Sequence, residues 1–259
     1  MAKKWTIEEN GRHFFLLNRL YIKENKTIGE IGKLLNRSEQ TIFGRLKRLG
    51  IKTIPQLKPN YPSKERNDIK IPRKYNETLA EFFGIMLGDG HLSHYQIVVT
   101  LGSKEVLYVN YVVDLIEKLF GVRPKIGIRK NEQYRDIYLG SKALSRWLTK
   151  EGLVYNKVLS QVDVPRWIFK KKLFMTNFLR GFFDTDGSIY KLRWGKQISF
   201  TNRSIPLLKS TRKILINLGH SPSLISTYAL YLTKKKDIAT FLRDIQPKNP
   251  KHLRFWAGT

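Results

Sequence analysis

Cysteine is missing from this chain altogether, which excludes disulfides, thiolate metal sites and cysteine nucleophiles. Acid is scarce as well: 21 Asp and Glu stand against 48 Lys and Arg, a formal charge of +27 over 259 residues. An excess of that size repels itself and points to a polyanionic partner. No apolar run reaches the roughly 20 residues of a membrane span. The opening Met1-Ala2-Lys3-Lys4-Trp5 lacks the apolar core of a secretion signal. Nucleic acid is therefore the expected partner, not membrane, and the expected location is cytoplasmic. His13, His91, His94, His220 and His252 have no metal-ligand spacing. What is present suffices for a folded protein of more than one unit, with 41% hydrophobic and 12% aromatic residues.

Residues 1–54 read as a three-helix domain. Thr6 caps a first helix, on which Phe14, Leu17, Leu20 and Tyr21 follow helical spacing. Thr27 caps a second, with Glu30 in the capping-box position and Ile28, Ile31, Leu34 and Leu35 as its apolar face. After the turn Asn36-Arg37-Ser38, a third helix buries Ile42, Leu46 and Leu49 and stops at Gly50. Its outer face is expected to carry Gln40, Thr41, Arg45, Lys47 and Arg48. The stretch from Thr27 to Ile51 resembles a helix-turn-helix DNA-binding unit. On that reading Gln40, Thr41 and Arg45 reach base edges, while Arg37, Lys47 and Arg48 suit phosphates. Residues 55–75, with Pro55, Pro59, Pro62 and Pro72 among basic side chains, read as a linker.

Beyond the linker two segments nearly repeat each other: Phe82-Phe83-Gly84-Ile85-Met86-Leu87-Gly88-Asp89-Gly90 and Leu179-Arg180-Gly181-Phe182-Phe183-Asp184-Thr185-Asp186-Gly187. Each is an apolar helix with a carboxylate at its C-terminal end, where the helix dipole disfavours negative charge by ~0.3–1 kcal/mol. Gly84 and Gly88, like Gly181 and Thr185, stand four apart and give each helix a stripe of small residues. Packed through these stripes, the helices would bring Asp89 and Asp186 together. Two carboxylates so placed call for a cation between them, and oxygen donors suit magnesium or manganese. The carbonyls of Gly88 and Thr185, free at the helix ends, are further candidate ligands.

The order helix, strand, strand, helix, strand, strand, helix recurs after each motif, giving repeats over 76–165 and 166–259. Strands are expected near 94–101, 123–130, 134–140, 188–201, 222–226 and 228–233. This is an α+β pattern, with helices on one face of each antiparallel sheet. The open faces are expected to carry His94, Gln96, Lys125, Arg129 and Arg135 in the first repeat and Lys191, Arg193 and Lys196 in the second.

These residues resemble the LAGLIDADG homing endonucleases in their single-chain, two-motif form. Leu179, Gly181, Asp184, Asp186 and Gly187 agree with the family pattern. So do Gly84, Asp89 and Gly90, while Leu87 stands where the pattern has an acid. The resemblance implies two pseudo-symmetric αββαββα repeats forming a DNA-binding saddle. It also implies site-specific cleavage of both strands of double-stranded DNA by a monomeric, intron-encoded enzyme, with Asp89 and Asp186 binding Mg²⁺ or Mn²⁺. Family members place basic or amide side chains beside the metals. Here Asn202 and Arg203, with Lys191 as a further candidate, fill that place in the second repeat, whereas Thr100-Leu101-Gly102 offers none in the first. Relatives that bind DNA as regulators without cutting, and intron RNA maturases, supply the alternatives.

Overall fold

The computed structural model describes residues 7–24, 26–51, 68–128, 133–193 and 195–253, and the chain divides into two compact units, Met1–Lys64 and Glu65–Thr259. In the first unit, α1 (Ile7–Asn18) runs into a wider π turn over Arg19–Lys23, followed by α2 (Ile28–Leu34) and α3 (Glu39–Arg48). Both internal caps form as their sequences require. Thr27 Oγ1 accepts from Glu30 N at 3.1 Å while Glu30 Oε2 accepts from Thr27 N at 2.7 Å. Ser38 Oγ accepts from Thr41 N at 3.2 Å. Leu17, Leu20, Tyr21, Ile31, Ile42, Leu46 and Ile51 make the core.

Three side chains depart from expectation. Phe14 and Leu34 are exposed, the latter at 60%, because Ile28, Ile31 and Leu35 already form the inward stripe of α2 and Leu34 is about 100° away from Leu35 around the helix. Arg45 is buried at 8%, since Ile42, Arg45, Leu46 and Leu49 occupy one i, i+3, i+4, i+7 stripe. It does not lie on the outer face with Gln40. The Thr6 cap and linker residues 55–67 fall outside the described residues.

The second unit is α+β. Its first half comprises α4 (Glu77–Leu87), β1 (Gly90–Leu92), β2 (Gln96–Gly102), α5 (Val106–Phe120), β3 (Lys125–Ile128), β4 (Tyr134–Gly140) and α6 (Lys142–Lys150). A 3₁₀ turn over Arg166–Lys170 leads into α7 (Lys172–Asp186), β5 (Gly187–Leu192), β6 (Gly195–Thr201), α8 (Ile205–Asn217), β7 (Ala229–Leu232), α9 (Lys235–Ile245) and the short α10 (Pro250–Leu253). The antiparallel sheets have orders β1-β2-β4-β3 and β5-β6-β7.

The strand expected at 222–226 does not form. Pro222 has no N–H to give a ladder, Tyr231 N donates to Ser223 Oγ at 3.0 Å, and Thr227 and Tyr228 take positive φ to turn the chain tightly into β7. One continuous apolar core then runs through both halves, with Phe82, Phe83, Phe178, Phe182, Phe183 and Phe200 at the crossing of α4 and α7.

Candidate functional site

The glycine stripes bring α4 and α7 into backbone contact. A methyl group on Gly84 would overlap the Phe178 carbonyl oxygen and sit 2.7 Å from Phe182 N. One on Gly181 would overlap the Glu81 carbonyl oxygen and sit 2.9 Å from Ile85 N. One on Gly88 would overlap Thr185 Oγ1 and lie 3.1 Å from Asp186 Oδ1. The helices therefore run side by side to a common end, where Asp89 and Asp186 follow.

The two aspartates sit in a partly buried, electrostatically loaded position. Burial pushes Asp89 up, with Glu105 adding to the rise, against the opposing pull of Lys251 and Lys157. Asp186 is pushed up to about 7, first by burial and also by Asp89. Asn202 opposes that rise most: its Nδ2 donates to Asp186 Oδ2 at 2.6 Å, while its Oδ1 accepts from Ser204 N at 2.8 Å and fixes the amide's direction. Asn202, expected beside this acid, is thus in contact with it. Arg203 is exposed beside it, and the cations that act on Asp186 are Lys157 and Lys251. Lys191 is not brought to the site. It lies five residues along an extended strand from Asp186, about 16 Å at ~3.3 Å per residue, and pairs across the hairpin with Lys196.

Lys157 and Lys251 are the residues that sequence reasoning missed. Lys157 Nζ donates to Gly88 O, and to Met86 O and Leu87 O at 3.2 and 3.3 Å, closing the end of α4. Lys251 Nζ donates to Thr185 O at 3.2 Å, closing α7. A cation at a helix C-terminus satisfies orphan carbonyls and offsets the dipole. The carbonyls expected to be free for metal are thus engaged by ammonium groups. Burial pulls the Lys157 ammonium below its usual range while Asp186 and Asp89 oppose that fall. The overlooked signal is the repeat itself: Asn156-Lys157 and Asn249-Pro250-Lys251 follow the last long helix of each half.

Lys251 is held by Asp184. That buried carboxylate accepts from Lys248 N at 2.8 Å and Asn249 N at 3.1 Å; Asn249 Nδ2 returns to Asp184 O, and Asn249 Oδ1 accepts from Lys251 N. Its value is pushed up to about 7, chiefly by burial. Leu87, at the matching place in α4, can make no such tie.

Strand register sorts the expected DNA-facing side chains. On the first sheet, Gln96 opposite Gly140, and Lys125 and Val98 opposite Tyr138, share the open face, with exposed His94 just before β2, its ring 4.1 Å from Tyr155. Arg135 does not belong there: it pairs with Leu101 and Ile128, on the face of the buried Ile137 and Leu139. Lys191 and Lys196 likewise continue the row of the buried Ile189 and Ile198, and Arg193 is in the turn between β5 and β6. The open face of that sheet instead carries Ser188, Tyr190, Gln197 and Tyr231, with Ser199 in the same row but buried. Arg129 falls outside the described residues.

The oxygen donors at the helix ends fit a hard divalent cation: two neighbouring carboxylates, both raised by burial, with the second lone pairs of helix-end carbonyls beside them. Among the described residues there is no group of three or more His, Cys, Asp or Glu able to hold a metal, and no helix long and apolar enough to cross a membrane.

The family model described as a LAGLIDADG-like domain matches residues 173–246, the stretch that holds most of α7, Asp186 and the second sheet. Among curated proteins, the chain is 35% identical over 118 residues to the replication factor C small subunit of Methanocaldococcus jannaschii, covering 45% of this chain and 6% of that protein. It is 27% identical over 171 residues to a DNA polymerase of Thermococcus kodakarensis, covering 66% and 9%. The chain therefore spans under a tenth of these relatives' length. Among solved structures, the homing endonuclease I-DmoI in complex with DNA and calcium has a TM-score of 0.50 at 20% identity, covering 70% of this chain and 97% of that one. The N-terminal LAGLIDADG domain of WhiA has a TM-score of 0.47 at 21% identity, covering 68% and 86%.

Proposed function

We propose that this protein is a site-specific, divalent-metal-dependent endonuclease of double-stranded DNA, acting as a monomer in the manner of an intron-encoded homing enzyme. The observation that carries the reading is the meeting of Asp89 and Asp186 at the glycine-packed ends of α4 and α7, in a chain of charge +27. Asp89 and Asp186 would hold magnesium or manganese, which when bound lowers the pKa of a water and stabilises the leaving oxygen of a phosphodiester. Asn202 orients the Asp186 carboxylate. Lys157 Nζ and Lys251 Nζ keep the two acids closer to their ionised form and put positive charge where a phosphodiester would enter. The open faces of both sheets would lie along the duplex, with Gln96, Lys125 and His94 on the first, and the first unit would add a helix-turn-helix contact through α3.

The protein, incubated with Mg²⁺ or Mn²⁺ and a plasmid library of randomised sites, is expected to linearise a defined subset. Asp89→Asn or Asp186→Asn should abolish double-strand cutting, and undiminished cutting by the double variant would overturn the assignment.

A second reading, DNA binding without cleavage, draws on one observation: the Gly88 and Thr185 carbonyls accept from lysines. Sequence-specific binding that needs no metal, with no cutting of the selected site, would establish it. Specific retention of an intron RNA would indicate a maturase role.

A further inference from the structure

α3 presents to solvent a face of unusual make-up. Taking 100° per residue, Gln40, Phe43, Gly44 and Lys47 fall on one side, opposite the buried Ile42, Arg45, Leu46 and Leu49. Phe43 is 49% exposed and stands outside the core that Ile42 and Leu46 join. Gly44 is odder still. Glycine inside a helix is disfavoured relative to alanine, and is normally kept where another backbone must come close. Gly32 of α2 has such a reason: a methyl there would sit 2.7 Å from Arg37 O. Among the described residues there is nothing within 4 Å of a Cβ position on Gly44. No described neighbour accounts for it, and the small residue leaves the backbone of this face open to an approach from outside.

Charge indicates what approaches. Lys47 and Arg48 are exposed on and beside this face, and the acid of the first turn, Glu39, turns towards α2. A basic rim around an amide, an aromatic ring and a bare stretch of backbone fits the major groove. There Gln pairs with the N6 and N7 of adenine, and an apolar side chain meets the C5-methyl of thymine. We infer that Phe43, seated in the groove by the close approach that Gly44 permits, is a specificity-determining residue that reads a thymine methyl, beside Gln40 on adenine. This rests on the reading of the first unit as a DNA-binding helix-turn-helix. It replaces buried Arg45 as a base reader with a residue the sequence reading passed over.

The test uses the full-length protein and a duplex selected by it from a random pool without divalent metal. The selected site should contain an A·T-rich block. Replacing its thymines one at a time by deoxyuridine, which lacks only the methyl, should weaken binding at one or two positions by about fourfold, the value of one buried methyl. Phe43→Ala should bind the thymine duplex about that much more weakly and be indifferent to deoxyuridine. Gly44→Ala should raise the melting temperature yet weaken binding, an opposition that a purely structural glycine would not produce. Equal deoxyuridine sensitivity in wild type and Phe43→Ala, or none in either, overturns the inference and leaves the DNA-binding reading standing. Failure to select any sequence overturns both.

Discussion

Asn202 donates its amide to the Asp186 carboxylate over 2.6 Å, while Asp89, at the other helix end, is pushed up by burial, with Lys251 and Lys157 opposing the rise and Glu105 adding least to it. The two halves of the site are therefore unequal. A hydrogen bond to a charged group is worth ~1.5–3 kcal/mol, so Asn202→Ala should slow cutting of one strand by ~10–100-fold. Supercoiled plasmid assays should then accumulate nicked circles before linear product. The same substitution removes the main influence lowering Asp186, so the pH profile of the slow strand should move upward.

Removal of the lysine caps should act on chemistry more than on folding. Lys157→Met and Lys251→Met each lose bonds to helix-end carbonyls, a cost of about 1 kcal/mol from the dipole interaction. They also leave Asp89 and Asp186 with less positive charge, so both carboxylates should hold their protons to higher pH. Thermal melts should show a small loss, and cleavage rates at pH 7 a much larger one.

The crossing of α4 and α7 tolerates no side chain at its centre. Gly84→Ala and Gly181→Ala each force a methyl onto the partner backbone, and should destabilise the fold by ~1–3 kcal/mol or more. Urea unfolding monitored by the buried Trp167 would measure it. Gly44→Ala, with open space around it, should do the opposite.

Metal-free protein should become more stable as pH falls from 8 to 6. Asp184 and Asp186 are pushed up to about 7 from an ordinary 3.8. Between those values the folded state holds protons that the unfolded chain has released, so stability rises as pH drops through about 7 and changes little above it. The slope is at most ~1.4 kcal/mol per pH unit for each group. Asp186→Asn should remove one group's share. Added Mg²⁺ should flatten the Asp186 part of the trend for wild type, since a cation bound by the ionised pair displaces its proton, and leave the Asp184 part in place. Thermal melts at fixed ionic strength would check both.

Much of this architecture is local, and so could be inferred from neighbouring residues. Thr27 with Glu30, and Ser38 before α3, announce their caps because the partners are three residues apart. The glycine stripes at a four-residue spacing announce a close crossing, and with it the pairing of Asp89 and Asp186. The i, i+3, i+4, i+7 rule also places Arg45 inside, in spite of its charge.

Sequence by itself thus determined the α+β class, most of the helices and the two motif helices that each end in an acid, because these follow from spacings within a few residues. Only the tertiary structure decided which face each strand side chain takes. Register comes from pairing between distant strands, and a slip of one residue inverts every face; the pairing of Leu101 with Arg135 removed that arginine from the open surface. Tertiary structure alone also decided which cations close the site. Lys157 reaches Gly88, and Lys251 reaches Thr185, across more than sixty residues of chain, a distance over which no local propensity acts.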